Sequence, residues 1–244
     1  MMQPFNPRWI VSFSFLGNRL IQEDYTLLDK EKGIFIIADG FGGDEKSAQI
    51  SCEAVRDFLF KKTGDSDATL SFGIKEYFSL SENILLNALI YANQKLFYFN
   101  QDKPINKRCG SSILASYLDG RWLIVASLGN CSAWLVRKNQ DPVELVIPRS
   151  LARFRNLKNL EEEKLDIPLI ALGILRDFHP EISAYMLQPS DCVILHTDGL
   201  SKRAQTQLFQ LELNTLKTQE MGLIKEILKK EVFLDNASLS LLFF

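Results

Sequence analysis

The run Gly33-Ile34-Phe35-Ile36-Ile37-Ala38-Asp39-Gly40-Phe41-Gly42-Gly43 restricts the fold more than any other stretch of this chain. Its uncharged Ile and Phe residues read as a strand buried on both faces. Asp39-Gly40 then breaks that strand with a turn that holds a carboxylate at its C-terminal edge. The same grammar returns in Cys192-Val193-Ile194-Leu195-His196-Thr197-Asp198-Gly199 and in Val232-Phe233-Leu234-Asp235-Asn236, ahead of the apolar ending Leu239 to Phe244. Taken singly, each Asp is a plain strand terminator, because Asp-Gly and Asp-Asn are ordinary turn pairs. Taken together, three strands appear in the sequence to deliver Asp39, Asp198 and Asp235 to their ends as a set of oxygen ligands.

At 244 residues and 46% hydrophobic, the chain is long enough to bury a large core, and residues 1–244 read as one domain. A formal charge of -2 with interspersed signs offers no basic field for nucleic acid. The start Met1-Met2-Gln3-Pro4-Phe5-Asn6-Pro7-Arg8 lacks a signal peptide's apolar core, and no apolar run reaches membrane-spanning length, so a cytoplasmic location without membrane contact is expected. Cys52, Cys109, Cys131 and Cys192 lie far apart with no C-x-x-C spacing, which fits reduced, buried thiols. His179 and His196 are the only histidines; a zincin helix is excluded, a Ser-His-Asp triad has few candidates, and the chemistry falls to carboxylates.

Alternation predicts strands over Trp9 to Phe15, after Gln22, over Ser111 to Tyr117, Trp122 to Leu128, Ser132 to Arg137, Ile182 to Leu187 and Cys192 to Thr197. Helical spacing predicts amphipathic helices over Glu45 to Lys62 and Ser81 to Phe99, the second capped by Ser81, and one or two helices between Gln205 and Glu231. Thr63 to Gly73 reads as a loop, and Pro148 to Asp166 as a charged surface excursion. The Arg149, Arg153, Arg155 and Lys158 cluster is either a solvated face or a receiver of acidic substrate. This order of elements gives an α+β layered domain with sheets inside and helices outside.

Carboxylates suit hard divalent ions such as Mg²⁺ and Mn²⁺, and two such ions about 3.5–4 Å apart activate a shared water for attack on phosphorus. Arg19, whose planar fork matches two phosphoryl oxygens, would hold the phosphate; the alternative is a surface pair with Glu23. Arg19 with Glu23-Asp24, Ala38-Asp39-Gly40-Phe41-Gly42-Gly43, Cys109-Gly110-Ser111-Ser112, Leu128-Gly129-Asn130-Cys131-Ser132-Ala133-Trp134, Ala171-Leu172-Gly173, Thr197-Asp198-Gly199-Leu200-Ser201 and Asp235-Asn236 follow one another in a set order. That order resembles the metal-dependent serine/threonine phosphatases of the protein phosphatase 2C (PPM) family, in its single-domain bacterial form.

The resemblance implies two packed, mainly antiparallel β-sheets flanked by pairs of helices. It implies hydrolysis of phosphoserine or phosphothreonine on a protein by water activated at two Mn²⁺ or Mg²⁺ ions. Carried over residue by residue, Asp39 bridges both metals and the Gly40 carbonyl ligates one. Asp198 and Asp235 complete the first site, Glu23 serves the second, Asp24 orients waters, Arg19 binds the substrate phosphate, and Asn236 orders the Asp235 turn. The implied partners are a phosphorylated protein and a Ser/Thr kinase or its targets, for a monomeric enzyme.

Two positions depart from the family pattern. Asn130 and Lys202 stand where many members have Asp residues that hold a third metal, so an amide and an ammonium replace two anions and the third site is expected to be absent. Phe41 occupies the place of a His proposed as general acid in eukaryotic members, which leaves leaving-group protonation to metal-bound water or to Lys202, for which a solvent-exposed side chain is the commoner reading. These changes motivate an alternative, a weakly active or inactive phosphatase-like scaffold that binds a phosphoprotein or kinase.

Overall fold

A computed structural model describes residues 5–62, 73–151, 167–211 and 218–244. The strands are β1 (Trp9–Phe15), β2 (Asp24–Asp29), β3 (Ile34–Phe41), β4 (Gly110–Asp119), β5 (Trp122–Leu128), β6 (Ser132–Val136), β7 (Val143–Val146), β8 (Glu181–Met186), β9 (Cys192–His196) and β10 (Ala237–Phe243). The helices are α1 (Lys46–Lys62), α2 (Leu80–Asn100), α3 (Lys202–Phe209) and α4 (Thr218–Lys229). All strand pairs are antiparallel, in two five-stranded sheets of order β1-β10-β9-β6-β7 and β2-β3-β4-β5-β8.

Three apolar layers separate four layers of structure, as the α+β reading expects. In β3, Ile34, Ile36 and Ala38 pack against α1 and α2 through Ala48, Val55, Leu85 and Leu89. The intervening Phe35 and Ile37 face the other way and meet Val193 and Leu195 of β9 and Leu242 of β10 between the sheets. The far faces of β9 and β10 pack through Ile194, Leu239 and Leu241 on Ala204, Leu208, Ile224 and Leu228 of α3 and α4. Because strand side chains alternate, the residues that follow this inner column, Asp39 on β3 and Thr197 just past β9, inherit the inward direction. A one-residue slip of β3 would turn Asp39 onto the helix layer.

Several expectations are corrected. Ser79, not Ser81, caps α2: its side chain accepts the Glu82 amide while the Glu82 carboxylate accepts the Ser79 amide, a reciprocal capping box. Ser79→Ala is therefore expected to lower stability by about 1 kcal/mol, measurable as a reduced urea midpoint at unchanged slope. Residues 232–235 are not a strand; Asp235 lies just before β10 rather than at the end of a strand. The short strand β7 was not foreseen. The predicted loop over 63–73 falls, except for Gly73, outside the described residues, as do Arg153, Arg155, Lys158 and most of the 148–166 excursion. Arg149 is described, and it pairs with Glu181 at 2.5 Å. All four cysteines are buried and unbridged.

Candidate active site

The β2–β3 register places Asp24 directly opposite Asp39. Their Cβ atoms are therefore on the order of 5 Å apart on one face, where like charges oppose each other. Asp39 also feels Asp198, Asp235 and Glu23: burial chiefly, then Asp198, Asp24, Asp235 and Glu23 in that order, push its carboxyl well above the usual carboxylate range. Burial likewise raises Asp24 to about 6, against the hydrogen bonds from Thr197 and Ser238 and with a further upward push from Asp235. Five carboxylates from β2, β3 and the turns after β9 and before β10 thus converge at one end of the sandwich. Buried like charge gathered to this degree marks a candidate functional site, with Arg19 paired to Asp235 at its edge.

Four of the five carboxylates, Glu23, Asp24, Asp198 and Asp235, are held by protein donors. Thr197 Oγ1 donates to Asp24 Oδ2 at 2.8 Å and accepts the Ser238 amide at 2.9 Å, which ties β2 across the sandwich to β10. Asp24 Oδ1 is buried and receives no hydrogen bond among the described residues. Glu23 Oε1 accepts the Gly43 amide at 2.8 Å, and the Glu23 carbonyl accepts the Gly40 amide at 3.0 Å. Gly40 permits this approach, since a Cβ there would stand 2.5 Å from Ser47 Oγ and 2.7 Å from the Glu23 carbonyl oxygen. Asn130 Nδ2 donates to Asp198 Oδ2 at 2.6 Å.

Arg19 pairs with Asp235, not with Glu23 as the alternative reading had it. That hydrogen bond raises the guanidinium pKa against partial burial, and the fields of Asp235, Glu23 and Asp39 add to it, so Arg19 stands at the open side of the cluster. Asn236 organises the junction: its Oδ1 accepts the Glu23 amide at 2.8 Å, and its Nδ2 donates to the Leu16 and Ile21 carbonyls at 2.8 and 3.1 Å. Gly199 lies against that turn so closely that a Cβ would come within 2.0 Å of the Asn236 carbonyl oxygen.

Every oxygen of this set is a hard donor, and the orphaned Asp24 Oδ1 and the mutual repulsion around Asp39 are what a divalent cation would relieve. The carboxylates therefore fit such ions. Among the described residues, no three Asp, Glu, His or Cys side chains close on a single point as they stand, because protein donors engage Glu23, Asp24, Asp198 and Asp235 individually. His196, by contrast, is a core residue: burial pushes it down to about 4, and its ring bonds the Thr197 carbonyl and Gln205.

No protein-family model matches the sequence, and no curated protein does either. Solved structures do. Serine/threonine phosphatase Stp1 from Staphylococcus aureus superposes with a TM-score of 0.77 at 16% identity, over 100% of this chain and 97% of that one. The PPM Ser-Thr phosphatase MsPP from Mycobacterium smegmatis, in complex with cacodylate, gives 0.72 at 17% identity over 97% and 98%. The catalytic domain of the phosphatase PstP, in complex with two manganese ions, gives 0.71 at 18% identity over 96% of each chain.

This chain has the PPM phosphatase fold. Within that PPM fold, Arg19, Glu23, Asp24, Asp39, Asp198 and Asp235 gather at one site, with Asn236 fastening the loops that carry them. Thr197 stands in a sequence motif without an assigned role, and Ser238 is not singled out in the sequence. The signal for Thr197 was its parity, two residues beyond inward-facing Leu195. The Asp44 ion pair with Lys103 at 2.7 Å, which anchors the chain after Gly43, left no such signal.

Proposed function

We propose that this chain is a metal-dependent protein serine/threonine phosphatase, acting in the cytoplasm opposite a Ser/Thr kinase. One observation carries the reading: Asp39 is enclosed by Asp24, Glu23, Asp198 and Asp235, with the Arg19 guanidinium beside them. Asp39 would ligate two Mn²⁺ or Mg²⁺ ions, the Gly40 carbonyl and Asp198 and Asp235 would complete one site, and Glu23 would serve the other. When bound, such ions would lower the pKa of a water and neutralise phosphoryl charge. The PstP domain of similar fold is a complex with two manganese ions, which supports that number.

The protein's own part is to position. Arg19 leaves Asp235 to take two phosphoryl oxygens of the incoming monoester in a planar fork. Asp24, fixed by Thr197, presents its free oxygen to water at the site. The β2–β3 register and the Asn236 bonds fix the backbone that carries Glu23, Asp24 and Asp39.

Asn130 and Lys202 make a third ion unfavourable. Isothermal titration of the full chain with Mn²⁺ is expected to saturate at two equivalents, and a third equivalent lost on Asn130→Leu would overturn that number. The 2.6 Å bond from Asn130 to Asp198 favours a second reading, a phosphoprotein-binding scaffold with weakened metal affinity. Release of nitrophenol from para-nitrophenyl phosphate on addition of Mn²⁺ decides between the two. Retained phosphopeptide binding with no turnover under any metal would establish the scaffold.

A further inference from the structure

The loops that bring Arg19 and Asp235 together also carry an apolar rim. Gly17, at φ +60°, crosses the 233–235 backbone so closely that a Cβ would lie 2.1 Å from the Asp235 carbonyl oxygen. Asn236 fastens the Leu16 and Ile21 carbonyls to the same turn. Phe233 stacks on Phe15 with ring centroids 4.2 Å apart, and its neighbours Val232 and Leu234 are left at 79% and 48% exposure. On the facing loop Leu20 is 98% exposed, with Leu16 and Ile21 also open to solvent. Single exposed leucines are ordinary, but five exposed apolar side chains on the two joined loops that carry Arg19 and Asp235 form the kind of patch that marks an interaction site.

Charge narrows what the patch takes. Of residues 16–23 and 232–236, Arg19 alone is cationic, while Asp235, Glu23 and Asp39 stand behind it and repel further acid. A phosphorylated residue docked on Arg19 therefore sets its neighbours down on Leu20 and Leu234, one position from Arg19 and Asp235. An extended segment advances about 3.3–3.6 Å per residue, so a side chain one or two residues from the phosphate reaches them.

We propose that Leu16, Leu20, Ile21, Val232 and Leu234 select phosphorylated segments that carry an aliphatic or aromatic residue within two positions of the phosphoresidue. This rests on the phosphatase reading and adds the substrate class to it. Kinetics on two phosphothreonine peptides, identical but for Leu or Ser at the flanking positions, test it, with para-nitrophenyl phosphate as a substrate that has no flanks. The wild-type chain with Mn²⁺ is expected to show a KM about fivefold lower for the Leu-flanked peptide, the effect of partly burying one such side chain. Leu20→Ser is expected to raise that KM and bring the ratio toward one. Circular dichroism establishes that the variant is folded. Equal KM values in the wild type, or a preference surviving in Leu20→Ser and in Leu234→Ser, would overturn the selectivity while para-nitrophenyl phosphate is still cleaved. Absence of release from all three substrates overturns the phosphatase reading itself, and the inference with it.

Discussion

Asp39→Asn is expected to reduce manganese-dependent phosphate release on the order of 10³-fold. On the proposed reading it removes the carboxylate that would ligate both ions, and a loss of about 4 kcal/mol of transition-state stabilisation corresponds to that factor. Steady-state hydrolysis of para-nitrophenyl phosphate with Mn²⁺ measures it, and a variant retaining a tenth of the wild-type rate would refute the assignment. The same substitution should stabilise the metal-free chain. Asp39 is pushed up first by burial and then by Asp198, Asp24, Asp235 and Glu23, so an uncharged isostere relieves repulsion. In EDTA the melting temperature is expected to rise by roughly 2–4 °C, the shift produced by about 1 kcal/mol in a domain of this size.

The sign of the pH dependence follows. Asp39 has a folded pKa above its unfolded value of 3.8, so the native state binds the extra proton and wild-type stability falls as pH climbs from 3.8 toward the folded value. Asp24, raised to about 6, acts in the same direction between about pH 4 and 6. The gap between Asp39→Asn and wild type in EDTA should therefore widen from pH 4 to pH 7. Added Mn²⁺ should close or reverse it, because only the wild type gains the ions' binding energy.

Asn236→Ala is expected to destabilise the chain by about 3 kcal/mol, lowering the melting temperature by roughly 6–12 °C. The buried Asn236 side chain bonds the Glu23 amide and the Leu16 and Ile21 carbonyls; truncation removes all three bonds and leaves the Leu16 carbonyl only the long contact from the Arg19 amide at 3.4 Å. Asn236→Asp is no remedy, since it keeps the acceptor for Glu23 but has nothing to donate to the two carbonyls. Urea denaturation reads the loss directly. Activity should fall further than stability accounts for, because Arg19 and Glu23 both ride on the segment that Asn236 fastens. An unchanged urea midpoint would show that the segment holds itself.

How much of this was legible in the sequence differs from residue to residue. Ile34 to Ala38 announced themselves because a strand covered on both faces has no polar residue to spare, and Asp39 stood out as the first charge after them. Asp235 reads in the sequence as the end of a strand and lies instead in the turn before β10. Val232-Phe233-Leu234 looks like a strand by composition, yet only Phe233 finds a partner inside, on Phe15, and the ladder begins at Ala237. The cap of α2 was misplaced by two residues although Glu82, three beyond Ser79, was the distinguishing mark. β7, four residues long and joined to β6 across an irregular register, is too short for alternation to show. The Arg19 partner lies 216 residues away, a separation that local patterns do not report.

The position of β10 between β1 and β9 has a consequence for biosynthesis. On the ribosome, the other nine described strands emerge before β10, which joins β1 to β9, and Glu23, Asp24, Asp39 and Asp198 emerge before Asp235. Until residues 235–243 have been translated, two open ladder edges face one another and Arg19 has no counterpart. In this topology the site proposed above would be complete only once residues 235–243 have been translated.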